Sequence, residues 1–469
     1  MQNIRIITDP DVIEGYLTDA SNTRGHAEAL VIPRTTKEVS EVVRHCQSNG
    51  IPLTVTAQRT STTGGPVPYG GWLLSMEQMD QVYAPDDVGG GVILGEHQDS
   101  IERDGLMFPP DPTSRHECTI GAAIACNASG ARSFRYGPTR AWVESVQVVL
   151  PSGDICWADR NTPIPSDWPR MKWDEPNVKT AAGFHPGDNL LDLMIGQEGT
   201  LGIITRAKLR LINAPAAVLG LICFFTDLQS CVSFVERARM GAQRRGSSGT
   251  PGSLDPRAIE YFDSAALDMA RSRVPDIPDS AHAALFLEIE HDGEPPLEAW
   301  WDALLDCEAL AEDTIVADDE SGRARLHAVR HAIPAGVNER VVANGMPKVG
   351  TDFSVPDAAL MDIMTAYSEV ALPTICFGHI GDNHLHLNFF PRSPEELEEA
   401  REQYKTLAMH AVSLGGTVSA EHGIGKIKRS LLAQMVGPEV LSQFQSLKLH
   451  IDPAWVLGRG TMFSMADGD

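Results

Sequence analysis

Paired cysteines, basic charge and long apolar runs are all scarce in this sequence. Its eight cysteines (46, 118, 126, 156, 223, 231, 307 and 376) are scattered, and no two form a Cys-x-x-Cys pair. That spacing argues against an iron–sulfur or structural zinc module and fits reduced thiols in a cytoplasmic protein. Lysine and arginine total 38 against 63 aspartate and glutamate, a net charge of −25. So acidic a surface repels phosphate backbones and anionic lipid, which excludes nucleic acid as a partner. The longest nearly apolar run, Ala217 to Phe225, is far too short to span a bilayer. The opening MQNIRIITDPDVIEG lacks the basic flank and apolar stretch of a secretory signal. The glycine-rich stretches hold no Gly-x-Gly-x-x-Gly, so a Rossmann dinucleotide site is not supported.

What is present is length and ordinary globular composition. The 469 residues are enough for two or three domains, and 42% hydrophobic with 22% charged residues suits a soluble enzyme with sizeable cores. Ala29–Ile32 reads as a short strand closed by Pro33. Thr35 and Glu38 have capping-box spacing, and Val39, Val42, Val43 and Cys46 follow at i, i+3, i+4, i+7, so a helix runs to Asn49-Gly50. Ile51–Thr56 then resumes an extended pattern. Val143–Leu150 alternates as a strand; residues 158–188 carry Pro, Trp, Asp and Asn without periodicity and read as a long surface loop or lid. After a helix-like LLDLMIG and a strand-like GIITRAKLRLI, Ala214-Pro215-Ala216 marks a boundary. Beyond it, strand-like Val218–Phe225 and Ala283–Ile289 alternate with helix-like Leu228–Met240 and Pro296–Leu310, an α+β layer pattern. Residues 241–256 read as a flexible connector, the acidic residues of 288–320 as a solvated face, and Trp300-Trp301 as core or interface.

Two stretches could carry chemistry. FGHIGDNHLHLN, from Phe377 to Asn388, crowds His379, His384 and His386 around a Gly-Asp turn. On a strand His384, His386 and Asn388 share one face, and a hairpin turning near Gly381-Asp382 could bring His379 alongside His386. Such imidazoles are either metal ligands or ordinary hydrogen-bonded histidines. GGTVSAEHGIG, from Gly415 to Gly425, frames Glu421-His422 with glycines. Glu421 could complete a two-histidine-one-carboxylate set, with His422 as a base beside it; alone, the pair would read as surface residues before a helix. Together the stretches favour a metal site. Arg330, His331 and Lys348 form a third group, either a clamp for a substrate carboxylate or solvated surface cations. From Gly64 to Gly137, dense glycine and small residues read either as turns or as backbone brought close to a large flat or phosphate-bearing ligand.

Three strings in order, FPPDPTS (108–114), TIGAAIACNASGARSFRYG (119–137) and GQEGTLGIIT (196–205), resemble the flavin-binding domain shared with vanillyl-alcohol oxidase. GHIGDNHLHLN, SAEHGIG, KVGTDFSVP and the closing IDPAWVLGRGTMF resemble the FAD-linked oxidase C-terminal domain of the group containing the glycolate oxidase subunit, D-lactate dehydrogenase and D-2-hydroxyglutarate dehydrogenase. The resemblance covers residues 25 to 464. It implies an α+β fold: a two-subdomain FAD-binding domain (1–215), a substrate or cap domain with an antiparallel sheet (216–410), and a C-terminal helical segment returning to the flavin site (411–469).

By the same resemblance, a pyrophosphate loop falls on Ala57, Gln58, Arg59, Thr60, Ser61, Thr62, Thr63, Gly64 and Gly65. The flavin cradle falls on Pro110, Asp111, Thr119, Gly121, Ala122, Asn127, Ser129, Gly130, Arg132, Tyr136 and Gly137, with Glu198, Gly202 and Ile203 from the later strand. Metal ligands fall on His379, His386 and Glu421, the base on His422, the substrate-carboxylate cations on Arg330 and Lys348, and another pocket residue on Asn388. No histidine occupies the pyrophosphate loop, so non-covalent FAD is expected, together with one divalent metal (zinc, manganese or iron).

The implied activity is oxidation of a small D-2-hydroxy acid, D-lactate-like, to the 2-oxo acid by hydride transfer to flavin N5. Electrons would leave to a separate acceptor, a quinone, an electron-transferring flavoprotein or an iron–sulfur partner. The protein would be cytoplasmic, held at the inner membrane only through a partner, with homodimer formation left open. Two alternatives are a flavin-dependent transferase resembling alkyl-dihydroxyacetonephosphate synthase and a non-catalytic subunit of an oxidase complex. The sequence departs from the family in three ways: no iron–sulfur cysteines follow, and two motifs differ. Ala57, Gln58 and Ser61 stand where glycines are common, and the usual Gly-Asp-Gly-Asn reads Gly381-Asp382-Asn383-His384.

Overall fold

The computed structural model describes residues 4–242, 254–295 and 297–464, excepting the side chains at 320, 323, 327, 330 and 331. Most of the connector expected at 241–256 lies outside the described residues. The helix expected after Thr35 spans Thr36–Asn49, with Gly50 closing it in the left-handed region at φ 64°. Thr35 Oγ1 accepts the Glu38 N–H at 3.2 Å, while Glu38 Oε2 accepts the N–H of Arg34, not of Thr35, at 2.6 Å. Its buried face, Val39, Val42, Val43 and Cys46, packs with Val31, Leu53 and Leu74. The flanking strands Ala29–Val31 and Leu53–Thr56 both run parallel to Trp72–Ser75, and Ile6–Ile7 adds an antiparallel edge.

Beside this four-stranded sheet stands an antiparallel five-stranded one. Its order is Val82–Ala84, Asp87–Gly89, Ile203–Leu209, Val143–Val149, Ile155–Asp159. The expected strand at 143–150 and the strand after Gly202 are therefore direct neighbours, with Ile203 opposite Val149.

The third sheet is larger, with eight strands, and its pairings are antiparallel. Ala217–Phe225, Ala283–His291 and Pro256–Asp263 form its middle. Leu219, Leu221, Cys223 and Phe225 enter one core with helices Leu228–Gly241 and Leu297–Asp306. Ile222 and Phe224 enter a second core, with helices Ser264–Arg271 and Glu320–Asn344. Burial on both faces explains why this strand reads as a continuous apolar run and not as an alternation. Trp300 is buried against Phe234, whereas Trp301 keeps 39% of its surface exposed. Among the described residues no helix is long and apolar enough to cross a membrane.

Two features carry the chain back to the first half. After helix Arg429–Ile451, Val456 accepts the Leu53 N–H at 2.8 Å, so the tail joins the four-stranded sheet. Residues 160–189 hold no helix or strand, as expected of a loop, but the expectation of a surface loop fails for their second half. Ala181, Ala182 and Phe184 are buried, and the Ala181 N–H donates to Ser419 at 2.9 Å. That stretch is packed between the two halves of the molecule.

Candidate functional site

The hairpin of strands Thr374–His379 and His384–Phe389 sets the centre of the site. Leu385, Leu387 and Phe389 enter the core, which leaves His384, His386 and Asn388 on the opposite face. The turn is a single 3-10 turn, Ile380–Asp382, closed by Asn383 in the left-handed region at φ 52°. This register pairs His379 with His384, and His386 with Phe377. The residue directly across from His379 is thus His384, and His386 is reached on the diagonal, with ring centroids 5.6 Å apart.

Glu421 closes the group from the loop 417–427. One ligand atom each from His379, His384, His386 and Glu421 lies within 4.8 Å of all the others. The Glu421 carboxylate lies 3.4 Å from His379 Nε2, 3.5 Å from His386 Nε2 and 3.7 Å from His384 Nδ1. Each imidazole is backed on its other nitrogen. His379 Nδ1 meets Glu260 Oε1 at 2.6 Å, His386 Nδ1 meets the Thr351 carbonyl at 3.0 Å, and His384 Nε2 lies 2.9 Å from Asp352 Oδ1. Backing of this kind fixes the tautomer and aims the free nitrogen inward. His384 is fully buried, and its Nδ1, on the Glu421 side, has no hydrogen-bond partner. An unpaired buried group of that kind costs about 1–3 kcal/mol. Burial holds the His384 pKa well below the usual histidine range, against the pull of the Glu421 carboxylate. The donor set, imidazoles around a buried carboxylate, suits a divalent d-block ion.

His422 follows Glu421 and keeps 34% of its side chain exposed, so it faces the opening of the site. Its ring stacks on that of His386 at 5.5 Å. Its Nδ1 lies 3.4 Å from Asp352 Oδ2, and its Nε2 3.5 Å from Glu421 Oε1. Loss of hydration pushes its pKa down to about 4, against the pull of Asp352 and Glu421, which leaves a neutral ring. Asp352 is the organiser here. Fully buried, it accepts the Lys428 ammonium at 2.6 Å, the Ser419 hydroxyl at 2.7 Å, and the N–H groups of Glu421 and His422 at 3.1 Å each.

The same loop reaches the expected flavin-binding segments. Thr63 accepts the Lys426 N–H at 2.9 Å, and Lys426 Nζ donates to Gly65 at 2.9 Å. A Cβ on Gly425, at φ 52°, would fall 2.1 Å from the Thr63 carbonyl, so this approach needs glycine. Glu198, at φ 54°, accepts the Ile424 and Gly425 N–H groups at 2.8 and 2.7 Å. Its carboxylate therefore holds the His422 loop. In the loop 57–65, Gln58 and Thr62 are exposed and Thr63 and Gly64 are buried, while Arg59 lies over the Tyr16 ring at 4.6 Å.

The segment 110–137 is tightly organised. Thr119 caps helix Ile120–Ala125 through the Ala122 N–H, Asp111 accepts the Arg132 N–H at 3.0 Å, and Asn127 donates to Thr180 at 3.3 Å. Arg132 and Tyr136 reach Glu288 and Glu290 of the large sheet. Gly202 packs on Val148, and Ile203 lies in the core. The Ser129 and Thr56 hydroxyls are buried without a hydrogen-bond partner. Orphan hydroxyls in the cradle and at the mouth of the loop 57–65 are what a polar cofactor such as FAD would satisfy.

Among the substrate cations, Lys348 donates to Asn388 Oδ1 at 2.7 Å on the hairpin's site face. Arg330 falls in helix Glu320–Asn344, but its side chain lies outside the described residues. Sequence reasoning missed Lys179. It is buried, donates to Glu421 Oε2 at 3.0 Å and to Gly130 at 3.3 Å, and lies 3.9 Å from Asp382. Asp352 and Glu260 were also missed. Asp352 stands inside the quoted KVGTDFSVP, but its charge partners are remote in sequence, and Lys179 sits in a stretch without periodicity.

Comparison with known proteins places the chain in a family. The family described as "FAD binding domain" matches residues 27–159, and "FAD linked oxidases, C-terminal domain" matches residues 215–462. A D-lactate dehydrogenase of Anaerostipes hadrus is 30% identical over 97% of this chain and 94% of its own length. The glycolate oxidase subunit GlcD of Bacillus subtilis is 28% identical over 93% of this chain and 89% of its own. A D-2-hydroxyglutarate dehydrogenase of Xanthomonas citri pv. viticola is 28% identical over 99% and 95%. Among solved structures, an alkyldihydroxyacetonephosphate synthase superposes with a TM-score of 0.65 at 16% identity, covering 97% of this chain and 82% of that one, a likeness of fold. With the family's FAD-binding and C-terminal domains following one another along nearly its whole length, this chain belongs to the FAD-linked oxidases and is a flavin-dependent oxidoreductase.

Proposed function

We propose that this protein is a dehydrogenase of a small D-2-hydroxy acid of the D-lactate class, using non-covalent FAD and one divalent metal ion. The observation that carries the reading is the convergence of His379, His386 and Glu421 beside His422, the partly open imidazole of the group. The relatives' names (D-lactate dehydrogenase, glycolate oxidase subunit, D-2-hydroxyglutarate dehydrogenase) supply the substrate class. Residues 1–215 would hold FAD, 216–410 would cover the substrate, and 411–469 would return His422 to the flavin.

Bound FAD would supply the two-electron acceptor for the hydride leaving the substrate Cα. A divalent ion on His379, His386 and Glu421 would supply Lewis acidity at the hydroxyl. The protein's own residues do the rest. Asp352 orients His422 through Nδ1, which leaves Nε2 to accept the hydroxyl proton as the carbonyl forms. Lys348, held by Asn388, binds the substrate carboxylate, a role the family resemblance also gives to Arg330. Such a cationic pocket is needed because the net charge of −25 slows an anion's approach. The two electrons then leave to a separate acceptor: a quinone, an electron-transferring flavoprotein or an iron–sulfur partner.

The test is anaerobic bleaching of the flavin by a panel of D- and L-2-hydroxy acids. A D-acid should bleach it and its L-enantiomer should not. Failure of every 2-hydroxy acid on FAD-loaded protein would overturn the reading.

A further inference from the structure

His384 stands where this chain departs from the family pattern, and resting on the metal reading above, it has a part of its own. We propose that His384 is a fourth protein ligand, so that the centre is a three-imidazole, one-carboxylate site built from His379 Nε2, His384 Nδ1, His386 Nε2 and Glu421.

Three independent observations support this. First, the register puts His384 directly opposite His379, and it shares its strand face with His386, the two rings lying 4.5 Å apart. It cannot leave the group without breaking the hairpin. Second, all three imidazoles follow one plan. The outer nitrogen lies against a carboxylate or carbonyl (Glu260, Asp352 or Thr351), and the inner nitrogen faces Glu421. This is how histidine ligands are oriented, and His384 meets it as fully as the other two. Third, His384 is completely buried, and its Nδ1, the nitrogen that faces Glu421, has no hydrogen-bond partner. A lone pair aimed at the inner cavity, with no proton donor of proper geometry among the described residues, is what a ligand position requires.

Two chemical consequences follow. A third neutral nitrogen shifts preference toward zinc, cobalt, nickel or iron and away from magnesium, calcium and manganese, which favour oxygen. Four protein donors also fill a tetrahedral shell, so an ion that meets substrate here must take five or six ligands. Asp352 thereby serves two imidazoles at once, backing the ligand His384 and the base His422.

The experiment uses FAD-loaded protein stripped with a chelator and titrated with zinc or cobalt(II) against a chromophoric competitor. His384→Asn should weaken zinc binding by about 100-fold or more, above the range for loss of a mere backing residue, with FAD stoichiometry unchanged. The cobalt(II) visible spectrum should change in the variant. Equal zinc affinity and an unchanged cobalt spectrum would overturn the proposal. Should the variant fail to fold, X-ray absorption of zinc-loaded parent protein decides it: three imidazoles support the assignment, and two refute it. Parent protein that takes up no metal also refutes it. Parent protein that binds zinc through three imidazoles but whose flavin no 2-hydroxy acid bleaches supports it, and sinks only the substrate reading.

Discussion

The hairpin Thr374–Phe389 and the loop 417–427 each deliver histidine to the same cavity, but by opposite means. In the hairpin, ladder pairing fixes every side chain: His379 faces His384, and alternate residues either enter the core or point into the site. The loop has no ladder of its own. It is held by two carboxylates from elsewhere, Asp352 on Glu421 and His422, and Glu198 on Ile424 and Gly425. Ligand geometry is therefore a local property in the first region, and a property of hydrogen bonds to distant carboxylates in the second. Damage to a remote carboxylate should move His422 while sparing the hairpin.

The largest effect should come from Asp352→Asn. The substitution leaves the Lys428 ammonium buried against a neutral amide in place of its 2.6 Å carboxylate partner. Breaking a buried pair from one side costs about 3–5 kcal/mol. Chemical denaturation should show that loss, and the double variant Asp352→Asn with Lys428→Met should recover part of it. A single variant within 1 kcal/mol of the parent, on the order of a surface substitution, would mean the loop is not held this way.

Next in size is His422→Gln, which keeps a side chain of similar reach but cannot accept a proton. Flavin reduction by the best D-2-hydroxy acid should slow by about 100-fold or more, with FAD and metal content unchanged. Stopped-flow reduction at close to the parent rate would remove His422 from the role of base.

The contrast also explains what could be read from the sequence. Helix Thr36–Asn49 was legible because its cap and apolar stripe lie within one element. Spacing by two placed His384, His386 and Asn388 on one face for the same reason. The Glu421-His422 pair was read from its glycine frame and its fit to the hairpin histidines, not from periodicity. Lys179 and Asp352 were invisible: their partners, Glu421 and Lys428, are set by tertiary topology, and no local pattern records a long-range ion pair. Glu198 was placed in the flavin cradle by resemblance, while its carboxylate turns to the loop. The pairing of His379 with His384 depended on the length of the turn, since a change of one residue would reverse every face.

The smallest effect at a single pH, and the most diagnostic slope, belongs to Glu198→Gln. Burial raises the Glu198 pKa from 4.5 to about 7, against the pull of the Ile424 and Gly425 N–H groups and of Lys428 and Lys426. A carboxyl whose folded value exceeds its unfolded one stabilises the fold most below pH 4.5, and that contribution is lost as pH rises through about 7. In the variant the buried charge is gone, which helps near neutral pH, but the amide can accept only through its oxygen and sets its NH2 against one loop N–H. These terms offset each other, leaving a change of about 1 kcal/mol near pH 7. Other buried carboxyls, Asp111 and Asp263, are raised to about 6 and tilt the parent curve too, so the difference between parent and variant is the quantity to follow. Between pH 5 and 8, urea unfolding of the parent should lose stability relative to Glu198→Gln as pH rises. Parallel curves would show that Glu198 ionises freely, and that its grip on the His422 loop is not the buried contact described above.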